Sequence, residues 1–366
     1  MKHLYTLIST AVFAGIATMA NAATPAHFYT NTVTTHNVAT MQQTIIKNAF
    51  QSFTGFMSTN THKRPQKYAP MPQEDPKTTY GRAAVYGTSP LYGEFNDDGT
   101  YGRSGGDTIN TDTALNNLWA NWNTSKDAVK FDEFDRADSR TNMYTFGIAG
   151  GQSEFVGGLS KWGLYTGYID ATQSNHDFDI QETGGFFGIY NGNKFGKFGL
   201  YVTLNGGVLN NSADTEFGTD EYTNMWAGAA VNATYDFAMD PTFTIQPNFQ
   251  VGYIFVDSDS LTSASGDTIH NEATGILQVT PMLRAIKHIG SGWYGSANVQ
   301  HVMFFENGGD TVVNNTTLDA LNIANYTEYG ISLERNILNM NLSATFGRRD
   351  GARDGWTGGI NIKYVF

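Results

Sequence analysis

From about residue 114 onward, apolar and polar side chains alternate with a period of two. Trp356, Ile360, Ile362, Tyr364 and Phe366 interleave with Thr357, Gly359, Asn361 and Lys363. Phe243, Ile245, Phe249, Val251, Tyr253 and Phe255 do so with Thr244, Gln246, Asn248, Gln250 and Gly252, and Met340, Leu342, Ala344 and Phe346 with Asn341, Ser343, Thr345 and Gly347. Successive side chains of a strand point to opposite faces, so each segment reads as a strand with one apolar and one polar side. Twelve are predicted, near 115–124, 141–151, 158–171, 180–190, 197–209, 222–235, 242–256, 273–286, 293–305, 324–335, 339–347 and 356–366. The even count suits an antiparallel sheet closed on itself with both ends on one side.

The links between these segments alternate in length. Six are long and polar (125–140, 172–179, 210–221, 257–272, 306–323 and 348–355), and the five between them are short. Such alternation places one kind of loop on each side of a membrane, as in barrels with long outer loops and short periplasmic turns. A soluble sandwich explains the period-two pattern equally well but gives no reason for the loop asymmetry.

Upstream the period changes. Val38, Met41, Ile45, Phe50, Phe53 and Met57 recur at three to five residues, and Thr40-x-x-Gln43 has the form of a capping box, so an amphipathic helix is expected from Thr40. Residues 58–113 hold five of the nine prolines and Tyr-Gly pairs at Tyr80, Tyr86, Tyr92 and Tyr101, the composition of a linker or short passenger. At the start, Lys2 precedes a mostly apolar run from Leu4 to Ala17, and Ala20-Asn21-Ala22 is a small-x-small site. Residues 1–22 therefore read as a cleaved signal peptide. The domains expected are thus 1–22, 23–57 with the helix, 58–113, and a barrel over 114–366.

Charge sharpens the picture. The chain carries 22 basic and 34 acidic residues, and the six long links hold a net −13 while the rest of the mature chain sums to about zero. A lipid-facing surface demands such neutrality, because a charge there costs on the order of 2–4 kcal/mol at mid-membrane. The acidic balance disfavours a nucleic-acid partner. Cysteine is absent, which removes disulfides, thiolate metal sites and a cysteine nucleophile.

No catalytic, cofactor-binding or metal-binding residue is assigned. His176, Asp177, Asp179, Asp267 and His270 fall in outer links, where an Asp/His pair can activate water, and Ser296 shares a strand with His301. Solvated loop residues are the simpler reading, so no enzyme is expected and no cofactor. With the apolar sides facing lipid, Arg284, Glu328, Glu334 and Lys363 point into the lumen with Asn341, Asn361, Gln246, Asn248 and Gln250. There they can bridge the wall or form a polar eyelet. Trp119, Trp162, Trp226, Trp293 and Trp356 lie near strand ends, as interfacial aromatic girdles require.

The ordered whole, from Leu118-Trp119 through the Glu328-Tyr329-Gly330-Ile331-Ser332-Leu333-Glu334 strand to a terminal Tyr-x-Phe, resembles the translocator domain of autotransporters, the type V secretion family. The resemblance implies an all-β, 12-stranded antiparallel transmembrane β-barrel in the outer membrane of a Gram-negative bacterium, with a helix in the pore and a displayed N-terminal passenger. It also implies that Ile362, Tyr364 and Phe366 form the signal read by the barrel-assembly machinery, with periplasmic chaperones as further partners. The chain departs from the family pattern in three ways. About 90 residues without a β-helix repeat precede the first strand, so no substantial passenger is expected. The expected helix ends near Met57, well before Leu115, which argues against its seating in the pore. No Asn-Asn pair lies within the helix to support self-cleavage; Asn116-Asn117 belongs to the first strand.

The function read from the sequence is translocation or presentation of a short N-terminal region by a monomeric barrel. Its acidic loops would meet divalent cations and lipopolysaccharide. The alternatives are a small-solute diffusion channel and, of a different class, an outer-membrane hydrolase.

Overall fold

The computed structural model describes residues 25–54, 94–95, 101–102, 115–131, 136–150, 153–155, 158–320, 325–337 and 339–365. The expected signal peptide, nearly all of the 58–113 segment and Phe366 lie outside the described residues. One helix, α1 (Pro25–Thr54), precedes twelve long strands. These are β1 (Leu115–Val129), β2 (Ala137–Gly150), β3 (Gly158–Ser174), β4 (Phe178–Phe195), β5 (Phe198–Thr215), β6 (Gly218–Tyr235), β7 (Phe243–Ser258), β8 (Thr274–Gly290), β9 (Trp293–Gly308), β10 (Tyr326–Ile337), β11 (Met340–Gly351) and β12 (Arg353–Val365).

Each strand pairs antiparallel with its neighbour in sequence, and β12 returns to β1 from Arg353↔Val129 to Val365↔Asn117. The sheet is therefore a closed barrel without an unpaired edge. The alternation has the expected consequence: Phe187, Ile331, Phe146 and Trp356 stand outward and exposed, while neighbours such as Phe186, Thr145 and Gly355 are buried inside. An apolar outer wall with every backbone group paired is what a lipid environment requires.

The upper strands are longer than expected. Segments read as polar links continue the ladder: β4 and β5 pair from Phe178↔Thr215 and β5 and β6 from Thr215↔Gly218, leaving tight turns. Asp127, Arg349 and Arg353, assigned to loops by their charge, are strand residues facing the interior. Period two persists there, but with polar residues on both faces, because the wall rises beyond the hydrocarbon. The two remaining long links form a small sheet of their own, from Leu261–Thr262, Thr268–Asn271, Thr311–Val313 and Thr316–Leu318. Leu261 and Leu318 pack on a cluster of Val33, Val129, Phe131, Phe178, Ile180 and Tyr222, roofing the mouth.

Three expectations about the helix need correction. It begins at Pro25, not Thr40, and Pro suits a first turn because its missing N–H has no partner there anyway. Thr40 is mid-helix, its hydroxyl donating to the His36 carbonyl at 3.2 Å. Nor is the helix amphipathic in its setting, since Val33, Thr34, Ala39, Gln42, Ile45 and Asn48 are all fully buried on different sides. It also runs inside the barrel, against the expectation that its end well before Leu115 argues against a seat in the pore: its polar side chains find partners on the inner wall. Among the described residues no helix is long and apolar enough to cross a membrane; α1 is screened from lipid by the wall.

Candidate functional site

The lumen and its helix form the site, and the direction of α1 fixes its geometry. Near the upper rim Asn31 Oδ1 accepts from Asn224 Nδ2 at 3.1 Å and Ser258 Oγ at 2.8 Å, and the Thr34 and Tyr222 hydroxyls share a 2.9 Å bond. Midway, Gln43 Oε1 accepts from Gln250 Nε2 at 2.5 Å and Gln278 Nε2 at 2.6 Å. Lower down, Asn48 Nδ2 donates to Asn123 Oδ1 at 2.7 Å, and Phe50 meets Tyr201 edge-on at 4.8 Å, three residues above the Phe195–Phe198 turn. The 30-residue helix thus spans the barrel with its N-terminal end at the upper mouth. At 1.5 Å per residue it is about 45 Å long, more than the roughly 30 Å of a bilayer core.

Two unlike walls flank it. From β1 to β6 large aromatics point inward, each lying over the glycine directly opposite on the adjoining strand: Trp119 over Gly147, Tyr190 over Gly163, Phe186 over Gly167 and Trp226 over Gly207. A Cβ on Gly147 would sit 2.1 Å from the Trp119 ring, so only glycine fits there. Trp119 and Trp226, expected in the interfacial girdles, are therefore lumen residues, whereas Trp162 and Trp356 do face outward. The helix packs chiefly on this half.

The opposite wall is polar and charged. Arg349 bridges two carboxylates: Nη1 is 2.6 Å from Asp127 Oδ2 and Nε is 3.1 Å from Glu328 Oε2. Arg353 Nη1 lies 3.3 Å from Asp127 and its Nη2 3.5 Å from the His36 carbonyl; Lys47 Nζ reaches Glu328 Oε1 at 3.1 Å. Five charges from α1, β1, β10, β11 and β12 thus straddle the line where the barrel closes. A further buried acid, Glu182, accepts from Asn37 Nδ2 and Gln173 Nε2, both at 2.5 Å. Between α1 and this wall runs a crevice lined by Lys47, Asn123, Gln300, Glu328, Thr345 and Thr357.

All four lumen residues named from the sequence face the interior, but they do not gather. Glu328 joins the network above. Glu334 accepts from Asn341 Nδ2 at 2.6 Å, Arg284 Nε donates to Ser296 Oγ at 3.2 Å, and the charged neighbours of Lys363 are Lys161 and Glu334. Near the lower turns Lys194 pairs with Asp236 at 2.6 Å, and Gln246 donates to the same carboxylate at 2.7 Å. Lys47, Asp127, Arg349 and Arg353 were missed; the inward phase of β1, β11 and β12, carried further along the pleat, would have found the last three. Ile362 and Tyr364 face outward and exposed.

The residues weighed for hydrolysis stay apart. Ser296 points inward and shares a 2.6 Å bond with Ser332, while His301 is on the outer face with Thr327. His176 and Asp177 are exposed at the β3–β4 turn, Asp179 is exposed on β4, His270 meets Ser260 at 2.6 Å, and Asp267 is held by Ser265 and Asn314.

A helix-filled, twelve-stranded barrel has a known counterpart, and the family profile for the autotransporter beta-domain matches residues 117–353. The chain belongs to that family. The barrel is similar in fold to the transport unit of the autotransporter AIDA-I from Escherichia coli, at 16% identity and a TM-score of 0.60 over 68% of this chain and 90% of that one. It is similar also to the β-domain of the Bordetella autotransporter BrkA (15% identity, TM-score 0.56, 69% and 100% covered). A third likeness is to the translocator domain of NalP from Neisseria meningitidis (15%, 0.54, 71% and 91%). The comparison with curated protein sequences gives no match. As an autotransporter barrel it is an outer-membrane protein, and the family is in general not enzymatic.

Proposed function

We propose that this autotransporter barrel inserts in the outer membrane, presents its short N-terminal region at the cell surface and keeps α1 in the pore afterwards. The observation that supports the reading is the direction of the helix, with Asn31 and Thr34 bonded at the upper rim and Phe50 beside Tyr201 near the lower turns. A chain held in that sense presents its N-terminal side outward. Residues 1–22 serve as a cleaved export signal, and Ile362, Tyr364 and Phe366 as the assembly signal, with barrel-assembly machinery and periplasmic chaperones as partners. The protein acts as a monomer, its acidic upper turns meeting lipopolysaccharide through divalent cations.

Planar-bilayer recording tests the reading. Removing residues 25–54 should raise single-channel conductance several-fold, and an epitope placed just ahead of Pro25 should be reached by antibody on intact cells. The crevice beside Gln300 and Thr345 favours the second reading, a small-solute channel. Conductance unchanged by the deletion, with the epitope hidden, would select that one instead.

A further inference from the structure

One register line on the outer wall is unlike the rest. Backbone pairing sets Tyr329 opposite Arg348, Arg348 opposite Trp356, Trp356 opposite Lys126, and Lys126 opposite Arg140. These five residues lie side by side on β10, β11, β12, β1 and β2, all on the outward phase of their strands. The three cations stand just above the apolar band: Arg348 is one outward position beyond Phe346, Lys126 two beyond Trp122, and Arg140 two beyond Tyr144. From β3 to β7 the outward upper ends carry exposed acids instead, among them Asp170, Asp179, Glu221 and Asp257. The basic sector is thus confined to the wall around the closure of the barrel.

The line is arranged for a ligand of opposite charge. Side chains directly opposed on an antiparallel pair have Cβ atoms about 4.5–5.5 Å apart, where like charges repel. Lys126 and Arg140 are opposed in this way. Among the described residues neither pairs with a carboxylate: Asp138 is held by Arg136 at 3.0 Å, and Asp354 by Arg348 and, at 3.9 Å, by Lys130. Arg348 lies over the Trp356 ring at 4.8 Å, and that ring stacks on Phe346 at 5.1 Å, which fixes a guanidinium at the edge of the apolar surface. A phosphate among these cations relieves their repulsion. Acyl chains of the same molecule then run down over the exposed Trp122, Phe146 and Ile360, a gain that a free anion does not have.

We infer that Lys126, Arg140 and Arg348 form a clamp for the phosphorylated headgroup of an outer-leaflet lipid, with lipopolysaccharide as the occupant. The contact runs directly from cation to phosphate and is separate from the acidic turns, which need a divalent ion. The leaflet rests on the orientation argued above, whereas the choice of phosphate rests on the register line alone.

Titration of the full chain in an uncharged detergent with lipopolysaccharide, in the presence of a chelator, tests the clamp. The parent should bind, and joint Lys126→Gln and Arg140→Gln should weaken binding about tenfold or more, since each cation at such a surface contributes severalfold. Lys287→Gln, the same charge change at the lower turns, should leave binding unchanged. Without lipid the double variant should be at least as stable to denaturant as the parent, because the repulsion is gone, and with lipid the order should reverse; the single substitutions are read in parallel. A merely structural role gives one order in both conditions. Equal binding by parent and double variant, or undiminished binding of dephosphorylated lipopolysaccharide, would overturn the clamp. Binding abolished by the chelator would overturn it too and leave the acidic turns as the contact. Displacement by equimolar inorganic phosphate would assign the site to the free anion and overturn the lipid. Because the chain has no cysteine, exposed His176→Cys and Met239→Cys report the orientation separately. An impermeant maleimide that reaches Met239→Cys but not His176→Cys on intact cells would overturn the orientation, and the leaflet with it, whatever the titration gives.

Discussion

Asp127→Asn should cost the barrel more than Arg349→Met, although the two residues share one bond. Asp127 is fully buried and is the carboxylate that both Arg349, at 2.6 Å, and Arg353, at 3.3 Å, contact. Its loss leaves Lys47, Arg349 and Arg353 facing Glu328 alone. Removing one partner of a buried pair costs about 3–5 kcal/mol, because the remaining charge stays desolvated. Arg349→Met leaves each carboxylate one cation, Arg353 for Asp127 and Lys47 for Glu328, so the loss is nearer the ~1.5–3 kcal/mol of a hydrogen bond to a charged group. Combining the two restores the original charge difference, so their effects should fall short of additive by about 1–3 kcal/mol. Denaturant unfolding in detergent micelles, followed by the folded barrel's faster gel migration, gives all three values. The charge-balance argument fails if Asp127→Asn is the milder substitution, or if the double variant equals the sum.

Four further outcomes follow from separate parts of the molecule. Ile331→Arg puts a cation on the lipid face and should cost about 2–4 kcal/mol of folding free energy in bilayers; equal stability in lipid vesicles would refute the outward assignment. Gln43→Leu strips the acceptor from Gln250 and Gln278 and should lower stability by roughly 2 kcal/mol or more, whereas Gln43→Glu, which keeps an acceptor, should recover most of it in the same unfolding assay. Gly147→Val should prevent formation of the fast-migrating folded species, and adding Trp119→Ala should partly restore it. At the β6–β7 turn, bonds from the Thr242 hydroxyl and amide hold the Asp240 carboxyl below the usual aspartate range. The turn is therefore tightest at neutral pH and loosens only as pH falls through that lowered value; a carbon-detected titration of Asp240 that shows an ordinary midpoint would remove the contribution.

The barrel was legible because lipid imposes a strict rule on one face of every strand. Wherever that rule acted, as at Phe249, Ile331 or Ile360, strand and side were both correct. Above the membrane the rule lapses, which is why Asp127 and Arg349 read as loop charges although their backbone continues the ladder. The helix was half legible for a related reason. Val38, Met41 and Ile45 carry the spacing, but Thr30, Thr32, Thr34 and Thr35 are β-branched and poor helix formers in water. They are helical here because the wall supplies partners such as Tyr222, which one segment's sequence cannot display. The lumen aromatics were misplaced because a tryptophan near a strand end suits a membrane interface and a glycine socket alike, and only the cross-strand register separates Trp119 from Trp162.

The junction of β12 with β1 has an implication for how the molecule is made. Its charges are shared with α1 through Lys47 and the His36 carbonyl, so β12 finds its full set of partners only when the helix, made well before it, is already threaded. Sealing and threading are then one cooperative event, and a cylinder that shuts without its rod would meet Glu328 lacking its lysine. The seam of the barrel thereby registers whether the helix is in place.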